Sequence, residues 1–145
     1  MDKYRDIGLK LTPQRLAILS YLDGNKEHPS AEDIYRAVHR RFPTMSLATV
    51  YSTLTALKKK GTVLELTVDP AKKRYDPDTK QHNHLICLSC KRIIDVPDLK
   101  GVSIPEEARQ DFSIVASHVE FYGICPKCMT KGHPIPKEVF HVRRS

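Results

Sequence analysis

The sequence predicts an α+β fold in two parts: an N-terminal winged helix-turn-helix domain, then a small C-terminal α+β domain built around zinc. Three observations predict it. Three capped, amphipathic helical segments run one after another into a strand–turn–strand stretch; two Cys-x-x-Cys pairs, Cys87/Cys90 and Cys125/Cys128, use every cysteine of the chain; and strand-like runs flank both pairs.

Taken in order, Thr12-Pro13 opens a helix with threonine as cap and proline at the first helical position, and Leu16, Leu19 and Leu22 form its apolar stripe up to Gly24. Ser30-Ala31-Glu32-Asp33 is a capping-box-like start for a second helix through about Arg40, with Ile34, Tyr35 and Val38 inward and Pro43 beyond its end. Ser46 caps a third, Leu47 to Lys60. There Leu47, Val50, Leu54 and Leu57 face inward, Thr49, Ser52, Thr53 and the run Lys58-Lys59-Lys60 face outward, and Gly61 closes the helix.

Two strand-like runs follow, Thr62 to Val68 and Lys73 to Tyr75, around the turn Asp69-Pro70-Ala71-Lys72. Three helices and a hairpin make a winged helix, whose third helix enters the major groove while lysines and arginines neutralise phosphates. The bland alternative is a helical bundle with a solvated basic face. Beyond Pro77 come two strands hinged at the first cysteine pair, a short helix within Pro105 to Asp111, and a third strand from Phe112 to Tyr122 leading to the second pair. The expected domains are therefore 1–76, 77–130 and a flexible tail, 131–145, that carries Pro134 and Pro136 without a clear period.

Composition narrows the functional classes. With 145 residues, 40% hydrophobic and no tryptophan, any core is modest, and a structural metal would help. The net charge of +7 suits a polyanionic partner, and the bias sits early: fifteen Lys and Arg against ten Asp and Glu up to residue 80, nine against seven beyond. The charged start Met1-Asp2-Lys3 does not resemble a signal peptide, and no apolar run approaches the roughly 18 residues of a membrane span. The expectation is a cytoplasmic protein, where thiols stay reduced and paired Cys-x-x-Cys bind metal.

Four cysteines in two such pairs supply the thiolates of a tetrahedral structural Zn²⁺; neither sits at the start of a helix in a βαβ unit, as a thioredoxin-like redox pair would. If His82 to Leu88 is a strand, His82 and His84 project to one side and Cys87 to the other, so that one segment feeds two metals. Read singly, the same residues have bland explanations. His82 and His84 are polar positions on an edge strand, His28 a surface residue before a helix, Asp76 a turn former ahead of Pro77. The Lys58 to Lys60 run is the solvated end of a helix. His39, His118, His133 and His141 have no matched role.

The motifs Leu11-Thr12-Pro13-Gln14-Arg15, His28-Pro29-Ser30-Ala31, Ser46-Leu47-Ala48-Thr49-Val50-Tyr51, His82-x-His84-x-x-Cys87-x-x-Cys90 and Tyr122-Gly123-x-Cys125-x-x-Cys128 together resemble the ferric uptake regulator (Fur) family of metal-dependent bacterial repressors. The resemblance runs from about Leu11 to Cys128 and is nearest to the family's peroxide-responsive branch. It implies an N-terminal winged helix joined to a metal-binding dimerisation domain, and a homodimer on a palindromic, AT-rich DNA operator. It implies a regulatory Fe²⁺ or Mn²⁺ on His28, Asp76, His82, His84 and Asp95, with His28 and His82 as the residues oxidised by peroxide.

Aspartate at both acidic positions is the feature that favours peroxide sensing, because iron sensors of the family commonly carry glutamate there. The DNA-binding set implied is Arg15, Ser46, Thr49, Tyr51, Ser52, Lys58, Lys59 and Lys60. A further metal site of iron-sensing members has Gln81, Asn83 and Ser117 at its positions here and is expected to be absent. Ser52 stands where relatives often carry arginine or asparagine, and the segment before Leu11 is shorter than in many relatives.

Three classes stay open at this point: a metal-dependent repressor, which includes an iron-responsive uptake regulator; a metal hydrolase or thiol oxidoreductase; and a zinc-ribbon interaction module. No general base or nucleophile stands beside the expected ligands, so the chain is not expected to be an enzyme.

Overall fold

The structure, a computed structural model, describes residues 2–100 and 102–133. The chain divides into two compact units at Lys80/Gln81, four residues past Asp76. The tail expectation falls mostly on residues 134–145, outside the described residues, as does His141. Among the described residues no helix is long and apolar enough to cross a membrane.

The first unit holds a short 3-10 turn (Asp2–Tyr4), helices α1 (Pro13–Leu22), α2 (Ala31–His39) and α3 (Leu47–Lys60), and the antiparallel hairpin β1 (Leu64–Asp69) and β2 (Lys72–Asp76). The caps are those the residue types dictate. Thr12 accepts from the Arg15 N–H at 3.3 Å, Ser30 and Asp33 exchange the two bonds of a capping box, and Ser46 accepts from the Thr49 N–H at 3.1 Å. Gly61 ends α3 at φ 76°, a left-handed conformation that glycine adopts at no steric cost.

Two expectations of which way a side chain faces are corrected. Leu16 is 40% exposed, and the buried face of α1 is Ile18, Leu19 and Leu22; at 100° per residue Leu16 lies about 60° round from Leu19, at the edge of the apolar arc. Thr53 is fully buried rather than outward, because it neighbours Leu54 on the core face. Its hydroxyl avoids an unsatisfied burial by donating to the Thr49 carbonyl at 2.7 Å. Around these helices a core of fourteen buried apolar side chains runs from Tyr4 and Ile7 to Val63 and Tyr75. The hairpin is shifted from its expected bounds: Asp69 and Lys72 pair as strand ends, which leaves Pro70-Ala71 as the turn.

The second unit is a three-stranded sheet in the order β4 (Ile93–Val96), β3 (Asn83–Cys87), β5 (Glu120–Gly123), with short helices α4 (Glu106–Arg109) and α5 (Pro126–Thr130). β3 pairs antiparallel with β4 and parallel with β5. The expected strand from Phe112 to Tyr122 is therefore mostly not one: only its end enters β5, and Phe112, Ile114 and Val115 are exposed. A run of strand-forming residues becomes a strand only where a neighbouring strand shares its backbone bonds; Val119 still accepts from the His84 N–H at 3.3 Å, but 112–118 belongs to no strand of this sheet.

Candidate metal centres and nucleic-acid interface

The two cysteine pairs come together in the second unit. β3 ends at Cys87, the chain turns through Lys91 at φ 64°, and the Lys91 N–H returns to the Cys87 carbonyl at 2.9 Å. The second pair opens a helix rather than a bare knuckle: Cys125 is the residue before α5 and Cys128 lies within it. That helix has five residues and follows a strand already paired to β3, so it is not a βαβ redox unit.

All four thiols are free, their sulfurs lie within 4.8 Å of one another, and Cys90 and Cys125 are 3.8 Å apart. A disulfide needs about 2.05 Å, whereas sulfurs about 2.3 Å from a tetrahedral Zn²⁺ stand about 3.8 Å apart. Electrostatics fit a cation as well. Burial opposes ionisation of Cys87, but the N–H groups of Cys125, Cys90 and Ser89 outweigh it and bring the thiol down to about 6. For Cys90 the Arg92 N–H pulls down, yet burial and the surrounding sulfurs push it up to about 11. Four crowded sulfurs resist full ionisation unless a positive ion shares the site.

The other expected ligands form two sets, one in each unit. In the first, the loop before α2 is stitched to β2 by the Tyr75 N–H on the Pro29 carbonyl at 2.9 Å and by an isolated bridge between Ser30 and Arg74. This brings His28 beside Asp76 at the end of β2, Nε2 to Oδ2 3.3 Å, with both side chains fully or almost fully buried. His28 has φ 50°, a left-handed conformation uncommon for a residue with a Cβ. Arg74, not foreseen from the sequence, braces it: its guanidinium donates to the His28 carbonyl and, at 3.0 Å, to the Glu27 carbonyl. Only the folded loop shows this, because the partners are backbone oxygens 46 and 47 residues away.

In the second unit, register does the work. His84 on β3 is the direct cross-strand partner of Asp95 on β4, which closes an eleven-residue separation to hydrogen-bond range. Asp95 Oδ1 lies 3.2 Å from His82 Nε2 and 3.5 Å from His84 Nε2, and the two rings meet edge to face. Two imidazole nitrogens and a carboxylate oxygen aimed at each other form a mixed N/O set of the kind Fe²⁺ and Mn²⁺ take. A six-coordinate ion with bonds of about 2.1 Å holds adjacent ligand atoms about 3 Å apart, close to the spacings seen.

Gln81 donates to the Ser117 carbonyl and hydroxyl at 3.1 and 3.4 Å, and Asn83 accepts from the Val119 N–H at 2.9 Å, so all three side chains hold the strand edge together.

On the first unit α3 presents a polar, exposed row. Ser46 and Thr49 share a 2.9 Å hydroxyl contact, Ser52 donates to the Thr49 carbonyl, and Tyr51 is 43% exposed. Arg15 is half-buried and donates to the Lys10 carbonyl at 2.7 Å. The lysine run is less free than its spacing suggests. Lys58 lies 3.0 Å from Glu65 and Lys60 3.8 Å from Asp6, which leaves Lys59 as the member without an ion-pair partner among the described residues. Lys73 of the hairpin also reaches Glu65, at 3.4 Å, so one carboxylate ties α3 to the wing.

The sequence model of the ferric uptake regulator family matches residues 6–122. The chain belongs to that family. The peroxide operon regulator of Bacillus subtilis is 39% identical over 133 residues, which cover 90% of this chain and 92% of that protein. The peroxide-responsive repressor PerR of Staphylococcus epidermidis is 38% identical over 131 residues, 89% of this chain and 87% of its own. Among solved structures, the ferric uptake regulator Fur of Helicobacter pylori, described as having three functional metal binding sites, superposes with a TM-score of 0.66 at 27% identity, covering 84% of this chain and 83% of that one. The winged-helix and α+β architecture is thus that of the Fur family.

Proposed function

We propose that this protein is a metal-dependent transcriptional repressor that senses peroxide. The observation that carries the reading is the pairing of imidazoles with aspartate in both ligand sets, His28 with Asp76 and His82 and His84 with Asp95, in a chain whose relatives include peroxide-responsive repressors. Cys87, Cys90, Cys125 and Cys128 hold structural Zn²⁺ and fix the second unit. His28, Asp76, His82, His84 and Asp95 hold the regulatory Fe²⁺ or Mn²⁺, as the resemblance implies and as three imidazoles with two carboxylates suit. Asp76 and Asp95 orient the histidines and balance the ion's charge.

The protein acts as a cytoplasmic homodimer with no enzymatic role. Residues 1–76 bind DNA and residues 77–130 bind metal and dimerise. The two-fold axis calls for a palindromic operator, AT-rich by family resemblance. Tyr51, with Ser46, Thr49 and Ser52, reads base edges in the major groove, while Arg15 and Lys58 to Lys60 position the phosphates. Lys58 and Lys60 must exchange their carboxylate partners for phosphate to do so.

Held by His28, Asp76, His82, His84 and Asp95, Fe²⁺ would supply the electrons for reducing peroxide, and Mn²⁺ would supply them far less readily. His28 and His82, as ligands, are the side chains that take up oxygen; each modified ring is a poorer ligand, and the DNA-binding form is lost. The test is peptide mass spectrometry after brief peroxide treatment of the Fe²⁺ and Mn²⁺ forms, with operator binding followed in parallel. One oxygen atom on His28 or His82, confined to the iron form and accompanied by DNA release, is expected. Oxidation confined to the four cysteines and equal in both forms would move sensing to the thiols. Insensitivity to peroxide, with DNA binding governed by iron supply alone, would mark an iron-responsive uptake regulator.

A further inference from the structure

Tyr51 is exposed on α3, yet its hydroxyl is already engaged: it donates to Glu32 Oε1 at 2.9 Å, across 19 residues of sequence. Glu32 stands in the first turn of α2. Its own backbone N–H, and after it the Tyr51 hydroxyl, hold its carboxyl below the usual range, as expected for an anion at a helix N-terminus. Beside this pair opens a cleft of about 260 Å³, lined among others by Glu32, Tyr51, Lys72, Lys73 and Tyr75. The start of α2, the recognition helix and the wing therefore meet at one spot.

A carboxylate on a face that binds a polyanion is a cost. It repels every phosphate regardless of sequence, whereas base contacts alone carry sequence information. An exposed hydrogen bond of this kind adds little to folding stability, so stability does not account for it. Orientation does. A phenol with a fixed acceptor keeps one rotamer, and a base-reading side chain already in place loses less entropy on binding.

We propose that Glu32 is a positioning residue for operator recognition: it fixes the Tyr51 phenol toward the base edges and so raises discrimination, while its charge lowers affinity for operator and random DNA alike. The proposal rests on Tyr51 as a base reader, and the test separates the two. Operator duplexes are selected from a random pool with the Zn²⁺- and Mn²⁺-loaded wild-type dimer, and affinities for operator and random duplex are measured for Glu32→Gln, Glu32→Ala, Tyr51→Phe, Tyr51→Ala and the Glu32→Ala/Tyr51→Phe double variant.

Glu32→Ala should lower the operator-to-random ratio by roughly 3- to 10-fold, the range of one hydrogen bond, and should add nothing in the Tyr51→Phe background. Glu32→Gln, which keeps the acceptor without the charge, should bind both duplexes more tightly and hold the ratio. A ratio unchanged in Glu32→Ala but lowered in Tyr51→Phe overturns the role of Glu32. An equal loss with and without the Tyr51 hydroxyl overturns the route through Tyr51. A ratio unchanged in Tyr51→Ala removes the base-reading assignment, and this proposal with it.

Discussion

Among the described residues, the first unit buries fourteen apolar side chains in one cluster, whereas the buried apolar residues of the second are Ile86, Ile93 and the cysteines Cys87 and Cys128. The first can form from helix caps and hydrophobic burial. The second has a three-stranded sheet with Leu85, Ile94, Phe121 and Tyr122 still exposed on it. Below a certain core size, ordering entropy wins unless a cross-link or a partner intervenes. The four thiols supply the first remedy, and a second copy covering the apolar surface is the natural source of the other. The same chain thus uses two ways of being stable, and in the function proposed here the division of labour follows: the self-sufficient unit would read DNA and the metal-dependent one would join copies.

The largest effect expected is loss of zinc. A structural zinc contributes about 10 to 16 kcal/mol in small metal-folded domains, more than this sheet can recover by burial. Chelation, or Cys90→Ser, should unfold the second unit and abolish dimerisation while α1 to α3 keep their helical circular dichroism. A Cys90→Ser protein that retained stoichiometric zinc and its native dimer would break the comparison.

The converse is Leu54→Ala, which opens a cavity in the first unit's core. Truncating a fully buried leucine costs about 2 to 5 kcal/mol, and Leu54 is 1% exposed. The helical melting transition should fall and zinc content stay at one per chain, read by calorimetry and metal analysis on the same sample. Zinc loss in step with the helical transition would show that the two units do not stand apart.

A smaller effect should follow Arg74→Ala. The guanidinium holds the loop of His28 in its left-handed turn through the backbone carbonyls of His28 and Glu27, so its removal should leave zinc in place and weaken Mn²⁺ binding by about 10- to 100-fold, the usual loss when an outer support goes. Competition with a chelating dye measures it. Unchanged Mn²⁺ affinity would assign Arg74 to wing stability alone.

These contrasts also explain what could be read in advance. The helices were legible because caps and periodicity are local: Thr12, Ser30 and Ser46 sit where the structure has them, and α3 has the bounds expected. The thiol cluster was legible because Cys-x-x-Cys is a local signature. What was not legible depends on partners distant in sequence. Thr53 faces inward because a backbone carbonyl satisfies it, and Phe112 to His118 lacks a strand neighbour in its own sheet. Glu32, Glu65 and Arg74 draw their roles from contacts that no spacing rule joins. The His84–Asp95 pairing lies between these extremes, since its residues stood out in the sequence but the register that joins them did not.

The smallest effect concerns Glu65, the carboxylate shared by Lys58 and Lys73 at 3.0 and 3.4 Å. Its pKa is lowered, first by the Lys58 hydrogen bond and then, against the opposing effect of burial, by Lys73. A carboxyl depressed in the folded state contributes stability above its unfolded pKa of about 4.3 and loses it as pH falls through the lower, folded value. The first unit should therefore weaken between about pH 5 and 3, and Glu65→Gln should flatten that part of the profile. The lysines stand in solvent, so the difference should not exceed about 1 kcal/mol and should shrink in high salt. Paired urea titrations of wild type and Glu65→Gln, each at low and high salt, isolate the effect from acid loss of zinc, which both proteins share. Equal slopes in the two proteins would mean that the clasp between α3 and the wing carries no net folding energy, leaving Lys58 and Lys73 free to exchange Glu65 for phosphate at no cost to the fold.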